Sequence, residues 1–134
     1  MKILYVVRGL PNAGKSTLAA TLAPDFNVAA DDYHTDDEGV YRFVPDRIQE
    51  AHAWCRGEVE FYLYRGLGPV AVHNTFTQQC DMQPYVDMAK AYGYRLSVIT
   101  VERSHDGDNR HGVKPEHLLA MRDRWESFVW DGGQ

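Results

Sequence analysis

The stretch Gly9-Leu10-Pro11-Asn12-Ala13-Gly14-Lys15-Ser16 decides the reading of this chain, because it meets the phosphate-binding loop pattern G-x-x-x-x-G-K-[ST] at every fixed position. The chemistry asks for those residue types at that spacing. Glycines let successive backbone N–H groups turn inward on phosphate oxygens, and Lys15 reaches the terminal phosphates as a point charge. The hydroxyl of Ser16 completes a magnesium site. The flanks agree with this reading. Ile3-Leu4-Tyr5-Val6-Val7 is a continuous apolar run that reads as a buried strand, and Ser16 to Ala23 reads as a helix. Gly9, Asn12, Ala13, Gly14, Lys15, Ser16 and Thr17 are therefore the expected contacts to a nucleotide triphosphate, and Ser16 is the expected metal ligand.

Further along, Asn27-Val28-Ala29-Ala30 predicts a short second strand that delivers Asp31 and Asp32 at its C-terminal end, the sheet edge where open α/β folds bind ligands. An acidic, glycine-containing loop from Thr35 to Gly39 follows. Val40 to Phe43 predicts a brief extended segment ahead of Pro45, which suits a helix start. From Asp46 to about Arg65, the residues Ile48, Ala51, Cys55, Val59, Tyr62 and Leu63 recur at helical spacing, and Gly66 and Pro69 close that helix. Val70-Ala71-Val72 predicts a third buried strand ending at His73-Asn74-Thr75. A helix over Pro84 to Tyr92, a fourth strand over Leu96 to Val101 and a final helix over Pro115 to about Phe128 complete the pattern. Strands alternating with helices imply a parallel sheet with right-handed crossovers. The expected fold is α/β, a three-layer P-loop NTPase of the kinase-like kind with a small, mostly parallel sheet of about four strands. It is expected as a single domain over residues 1–134, with 102–114 as a polar, basic lid.

Composition narrows the function classes. A length of 134 residues suits one domain with a real core and little room for a separate substrate domain. An apolar fraction of 44% and a charged fraction of 25% are those of a folded globular protein and exclude disorder. No apolar stretch approaches membrane-spanning length, and the N-terminal run is too short for a signal peptide, so the chain is expected in the cytoplasm without a membrane partner. Cys55 and Cys80 lack C-x-x-C spacing and read as reduced, structural thiols. A formal net charge of −5 argues against broad electrostatic binding to duplex nucleic acid, while leaving a local grip on a strand end open.

The reaction must be read outside the phosphate loop, which ATPases, GTPases and kinases share. Asp31 is the candidate general base, since a carboxylate beside the loop can take the proton of a hydroxyl attacking the γ-phosphate. Asp32 reads as a cap or turn carboxylate. Arg110, and second to it Arg103, are the candidate charges for the equatorial oxygens of the transferring phosphate, with His111 beside them. His52 reads as a satisfied core histidine. His34, Arg42 and Arg47 either line an acceptor cleft or belong to a solvated acidic loop. Tyr33, Tyr41 and Phe43 either stack a nucleobase or pack in the core.

The phosphate loop with Asn-Ala-Gly-Lys-Ser-Thr, then Ala30-Asp31-Asp32-Tyr33, then His73-Asn74-Thr75 and finally Arg110-His111-Gly112-Val113 occur in one order. In that order the chain resembles the phage-type polynucleotide 5′-hydroxyl kinases and their P-loop relatives, over nearly its whole length. The resemblance implies an ATP- and Mg²⁺-dependent enzyme that moves the γ-phosphate to a 5′-hydroxyl. By similarity Lys15 and Ser16 serve phosphate and magnesium, Asp31 is the base, and Arg110 or Arg103 meets the transferring phosphate. Two positions depart from the pattern: His34 stands where an arginine holds the acceptor, and Asn74-Thr75-Phe76 stands where the third strand carries Asp-Thr-Asn. Two other functions compatible with the residues are a kinase of a nucleoside, a modified nucleobase or another small hydroxyl compound, and a nucleotide-binding interaction module without turnover.

Overall fold

The apolar run ahead of the phosphate loop forms β1 (Ile3–Arg8), which lies between two parallel partners, β3 (Val70–Asn74) and β4 (Arg95–Thr100). The computed structural model describes residues 1–36, 38–102 and 115–129. A short β2 (Asn27–Val28) pairs with the far side of β3, so the sheet order is β2-β3-β1-β4 and every pairing is parallel. The register sets Leu4 beside Val70 and Leu96, and Arg8 beside Asn74 and Thr100. The chain leaves β1 towards β3 on one side and reaches β4 on the other. The C-terminal end of β1 is thus the topological switch point, where the diverging connections open a crevice.

Both faces of the sheet are covered at its centre, which is why β1 and β3 read as apolar runs, whereas the edge strand β4 is only partly buried. On one face α1 (Lys15–Leu22) and the residue after it bury Ala19 and Ala23 against Val7 and Ala71. On the other face α2 (Ile48–Tyr64) buries Ala51, Cys55, Val59 and Leu63, one stripe at four-residue spacing, and α3 (Gln79–Tyr92) buries Met82, Tyr85 and Ala89. These meet Leu4, Val6, Val28, Val70 and Val72 in the larger core. The three-layer α/β arrangement is that of a kinase-like P-loop fold. A further helix, α4 (Pro115–Asp123), has no buried residue. Among the described residues no helix is long and apolar enough to cross a membrane.

Several boundaries differ from the sequence expectation, each for a local reason. The second strand stops after Val28, and Ala30–His34 winds into a 3-10 helix closed by Asp32, whose Oδ2 accepts the Ala29 N–H at 2.9 Å. Pro45 opens a single 3-10 turn, Pro45–Arg47, before α2. The helix expected from Pro84 begins at Gln79 instead, because Asp81 Oδ2 accepts the Gln78 N–H at 3.2 Å and fixes the start. Pro84 then forfeits only one helical N–H, opposite the carbonyl of exposed Cys80. Cys80 is therefore a surface thiol and not a core residue, whereas Cys55 is buried as expected. The last helix ends at Asp123 and not near Phe128, because the following residues pair with the turn after β3: Glu126 N–H donates to Thr77 O at 2.6 Å and Val129 N–H to Gln79 Oε1 at 3.0 Å. Arg103, Arg110, His111 and all of the expected lid except Glu102 lie outside the described residues, as does Asp37.

Candidate active site

The phosphate loop leaves β1 at the switch point and its shape follows from its residues. Asn12 (φ +66°) and Gly14 (φ +101°) hold left-handed backbone, which turns successive N–H groups towards one side. Gly9 is required by close packing, since a Cβ there would stand 2.6 Å from the Val101 carbonyl oxygen. Its N–H donates to Thr75 O at 3.3 Å, tying the loop to the end of β3. Gly9 and the buried Ala13 form the back of the loop, while Asn12, Gly14, Lys15, Ser16 and Thr17 face a cleft of about 670 Å³. The Lys15 ammonium donates to the carbonyls of Gly9 and Leu10, each at 2.9 Å. Burial pulls its pKa down to about 8, and the Asp31 carboxylate opposes that shift. Ser16 and Thr17 stand exposed in the first turn of α1, at the positive end of the helix. A polyphosphate fits this cradle: turned backbone N–H groups, a helix N-terminus, an ammonium and a hydroxyl converge on one cavity.

The facing wall is the 3-10 helix Ala30–His34. Its Ala30 N–H donates to Asn74 Oδ1 at 2.8 Å, and Asn74 Nδ2 reaches Cys55 Sγ at 3.8 Å. The asparagine that departs from the third-strand pattern is thus a buried brace between β3, α2 and the aspartate turn. An amide suits the position, since it accepts and donates at once. Asp31 and Asp32 are both exposed; Asp32 closes the turn and Asp31 faces the cleft within the field of Lys15. The Tyr41 hydroxyl stands 3.5 Å from Asp31 Oδ1, and burial together with that carboxylate pushes the phenol up to about 12.

Four histidines from separate elements, His34 among them, line the cleft. His73 from β3 is half-buried, and burial lowers its pKa against the raising influence of Asp32 and Asp31. His52 of α2, expected in the core, is instead exposed on the cleft wall, one turn before the buried Cys55. His117 and Met121 of α4 also reach the cleft. His34 is buried at 7% exposure, its ring edge-on to Phe43 with centroids 5.0 Å apart. Arg42 and Arg47 are not among the cleft residues, and Arg42 stands by Asp36 at 3.7 Å. Tyr33 turns away to α2, donating to Glu50 Oε2 at 2.9 Å and packing on Trp54. Tyr41 and Phe43 do line the cleft.

Sequence reasoning passed over Arg8, the last residue of β1. It is 1% exposed, and its guanidinium bonds Phe76 O through Nε at 3.1 Å and Nη2 at 2.7 Å, and Glu126 O at 2.6 Å, with the Trp125 ring 4.0 Å away. Phe76 holds left-handed backbone (φ +48°), a conformation costly to a residue with a side chain, and the two bonds to its carbonyl help hold it. One signal was available: Arg8 shares the face of Leu4 and Val6 in a strand buried on both sides.

A sequence profile described as an AAA domain matches residues 4–128. The chain belongs to that family. Human NEDD4-binding protein 2 (Homo sapiens) is 30% identical over 138 aligned residues, which take in 95% of this chain and 8% of that protein. The AAA domain described here thus spans a small part of that relative's length. A gluconokinase from Sinorhizobium meliloti 1021 shares the fold, with a TM-score of 0.58 at 18% identity over 94% of this chain and 76% of the other. This AAA domain is a kinase-like P-loop NTPase in fold and in the loop that faces its cleft.

Proposed function

We propose that this AAA domain is an ATP- and Mg²⁺-dependent kinase that moves the γ-phosphate to a hydroxyl acceptor, foremost the 5′-hydroxyl of a polynucleotide end. The observation that carries the reading is that Asp31 lines one cleft with Lys15 and Ser16 and acts electrostatically on the Lys15 ammonium. A hydrolase needs only a positioned water, whereas a carboxylate held one cleft width from the phosphate loop suits deprotonation of an incoming alcohol.

In this mechanism the loop N–H groups and Lys15 hold the β- and γ-phosphates, and Asp31 accepts the acceptor's hydroxyl proton. The oxygen so freed bonds to the γ-phosphorus as the bond to the β–γ bridging oxygen breaks, releasing ADP. Ser16 is the protein ligand for Mg²⁺, which when bound neutralises charge on the β- and γ-phosphates. Arg110, and second to it Arg103, are the proposed charges on the transferring group. Asn74 and Asp32 position the base by fixing the turn that presents it.

The net charge of −5 favours a second acceptor class, a nucleoside or other small hydroxyl compound, over a long duplex. Transfer of label from γ-labelled ATP to 5′-hydroxyl oligonucleotides, duplex DNA and nucleosides, compared side by side, decides between them. Lys15→Ala should abolish transfer to all of them in a chain that still folds and unfolds cooperatively and is no less stable at neutral pH, because burial disfavours the charge that the substitution removes. Full activity in that folded variant would remove the phosphate loop from the reaction.

A further inference from the structure

Beyond the phosphates, the acceptor side of the cleft has its own construction. Gly39 turns the chain in left-handed backbone (φ +82°), and the following residues run back extended along the turn that carries Asp31. Thr35 and Tyr41 pair in an antiparallel bridge, and the Arg42 N–H donates to His34 O at 2.7 Å. Alternation along this extended segment sends Arg42 outward, its side chain 74% exposed, and sets Tyr41 and Phe43 on the cleft side. His34 fills the space beneath both rings, edge-on at 6.3 Å and 5.0 Å. Tyr41 and Phe43 nonetheless keep 36% and 48% of their surface in solvent, and Ile48 beside them 43%. Single exposed apolar residues are ordinary, but here they are contiguous, they line a cavity, and their polar end is the Tyr41 hydroxyl beside Asp31.

Resting on the phosphotransfer reading above, we propose that Tyr41 and Phe43, backed by His34, form a stacking platform for the nucleobase of the acceptor. Among the described residues this wall offers no lysine or arginine side chain to a phosphate. It offers ring faces, which every base can meet. The arrangement suits a nucleoside unit, whose 5′-hydroxyl stands one sugar ring from its base, because the proton acceptor Asp31 lies at the hydroxyl edge of the Tyr41 ring, 3.5 Å from Oη, in the same cavity. The platform holds the acceptor by the base that adjoins the reacting hydroxyl, and it serves a polynucleotide end and a free nucleoside by the same chemistry.

The test compares parent, Phe43→Ala and Phe43→Trp on three acceptors: a 5′-hydroxyl oligonucleotide, the same oligonucleotide with a 5′-terminal abasic sugar, and a free nucleoside. Terminal 2-aminopurine fluorescence reports stacking independently of transfer. Phe43→Ala should lower kcat/KM for the base-bearing end by roughly 5- to 150-fold, mainly through KM, and abolish 2-aminopurine quenching without changing ATP affinity. It should leave the abasic end as poor an acceptor as it is for the parent, and Phe43→Trp should restore both signals. Transfer to the free nucleoside with the same Phe43 dependence supports the platform and names the smaller acceptor. Equal use of base-bearing and abasic ends by the parent, or an equal loss on both in Phe43→Ala, overturns the platform. If the parent transfers to no acceptor, the phosphotransfer reading falls alone when the Phe43-dependent quenching persists, and both fall when it is absent.

Discussion

Lys15 is a cation held where burial disfavours its charge, and the consequence can be measured. The unfolded lysine titrates near 10.5 and the folded one at about 8, so between these values the unfolded chain carries a proton that the folded chain has released. Stability therefore rises with pH across that window, and the cost of the charged lysine is complete below about pH 8. Polyphosphate reverses the balance by favouring the ammonium. ATP binding at pH 8 to 9 should take up a fraction of a proton, read by calorimetry in buffers of different ionisation enthalpy, and Lys15→Met should show none. Uptake that survives in that variant would assign the proton to another group. Asp32 makes the opposite kind of contribution. Asp32→Ala removes the acceptor of the Ala29 N–H and should cost about 1 kcal/mol in denaturant unfolding, with a turnover loss far smaller than that from its neighbour Asp31. A large rate loss with no loss of stability would exchange the two roles.

At the scale of elements, the C-terminal segment after α4 is fastened to the strand that launches the phosphate loop. Arg8 reaches across 118 positions of sequence to Glu126 O, and Gln79 and Thr77 complete the attachment. Arg8→Met leaves the buried carbonyl of Phe76 and the partly buried one of Glu126 without that donor and should destabilise the fold by about 2 kcal/mol. Amide exchange should accelerate over residues 125–129 before it does in α3. Uniform exchange across both would mean the segment is not held by Arg8. This attachment also explains what the sequence left illegible. β1, α1 and α2 were readable because a run of apolar residues, a glycine motif and a four-residue stripe are local signals. The start of α3 and the end of α4 were not, because Asp81 and the pairing of Glu126 with Thr77 decide them, and such partners leave no periodicity.

For the whole molecule, the order β2-β3-β1-β4 brings the phosphate loop, the aspartate turn and the end of β3 to one crevice. Lys15 and Ser16 at the head of α1, and Asp31 in the turn after β2, could be picked out from sequence as cleft residues because each follows a strand in a recognisable local motif. The brace from Asn74 to Ala30 spans 44 positions and could not be read, so a buried support looked like a mere departure from a pattern. His52, His73 and His117 were likewise scattered along the chain and gathered only by folding. The placement of Asp31 opposite the phosphate loop is the centre of the account. It is tested most directly by single-turnover transfer of γ-phosphate to a 5′-hydroxyl oligonucleotide, with parent and Asp31→Asn measured beside their ATP affinities. The predicted result is a rate constant lower by roughly 10²- to 10⁴-fold with ATP affinity unchanged. Transfer at the parent rate, or a loss accounted for entirely by weaker binding of ATP with Mg²⁺, would contradict it.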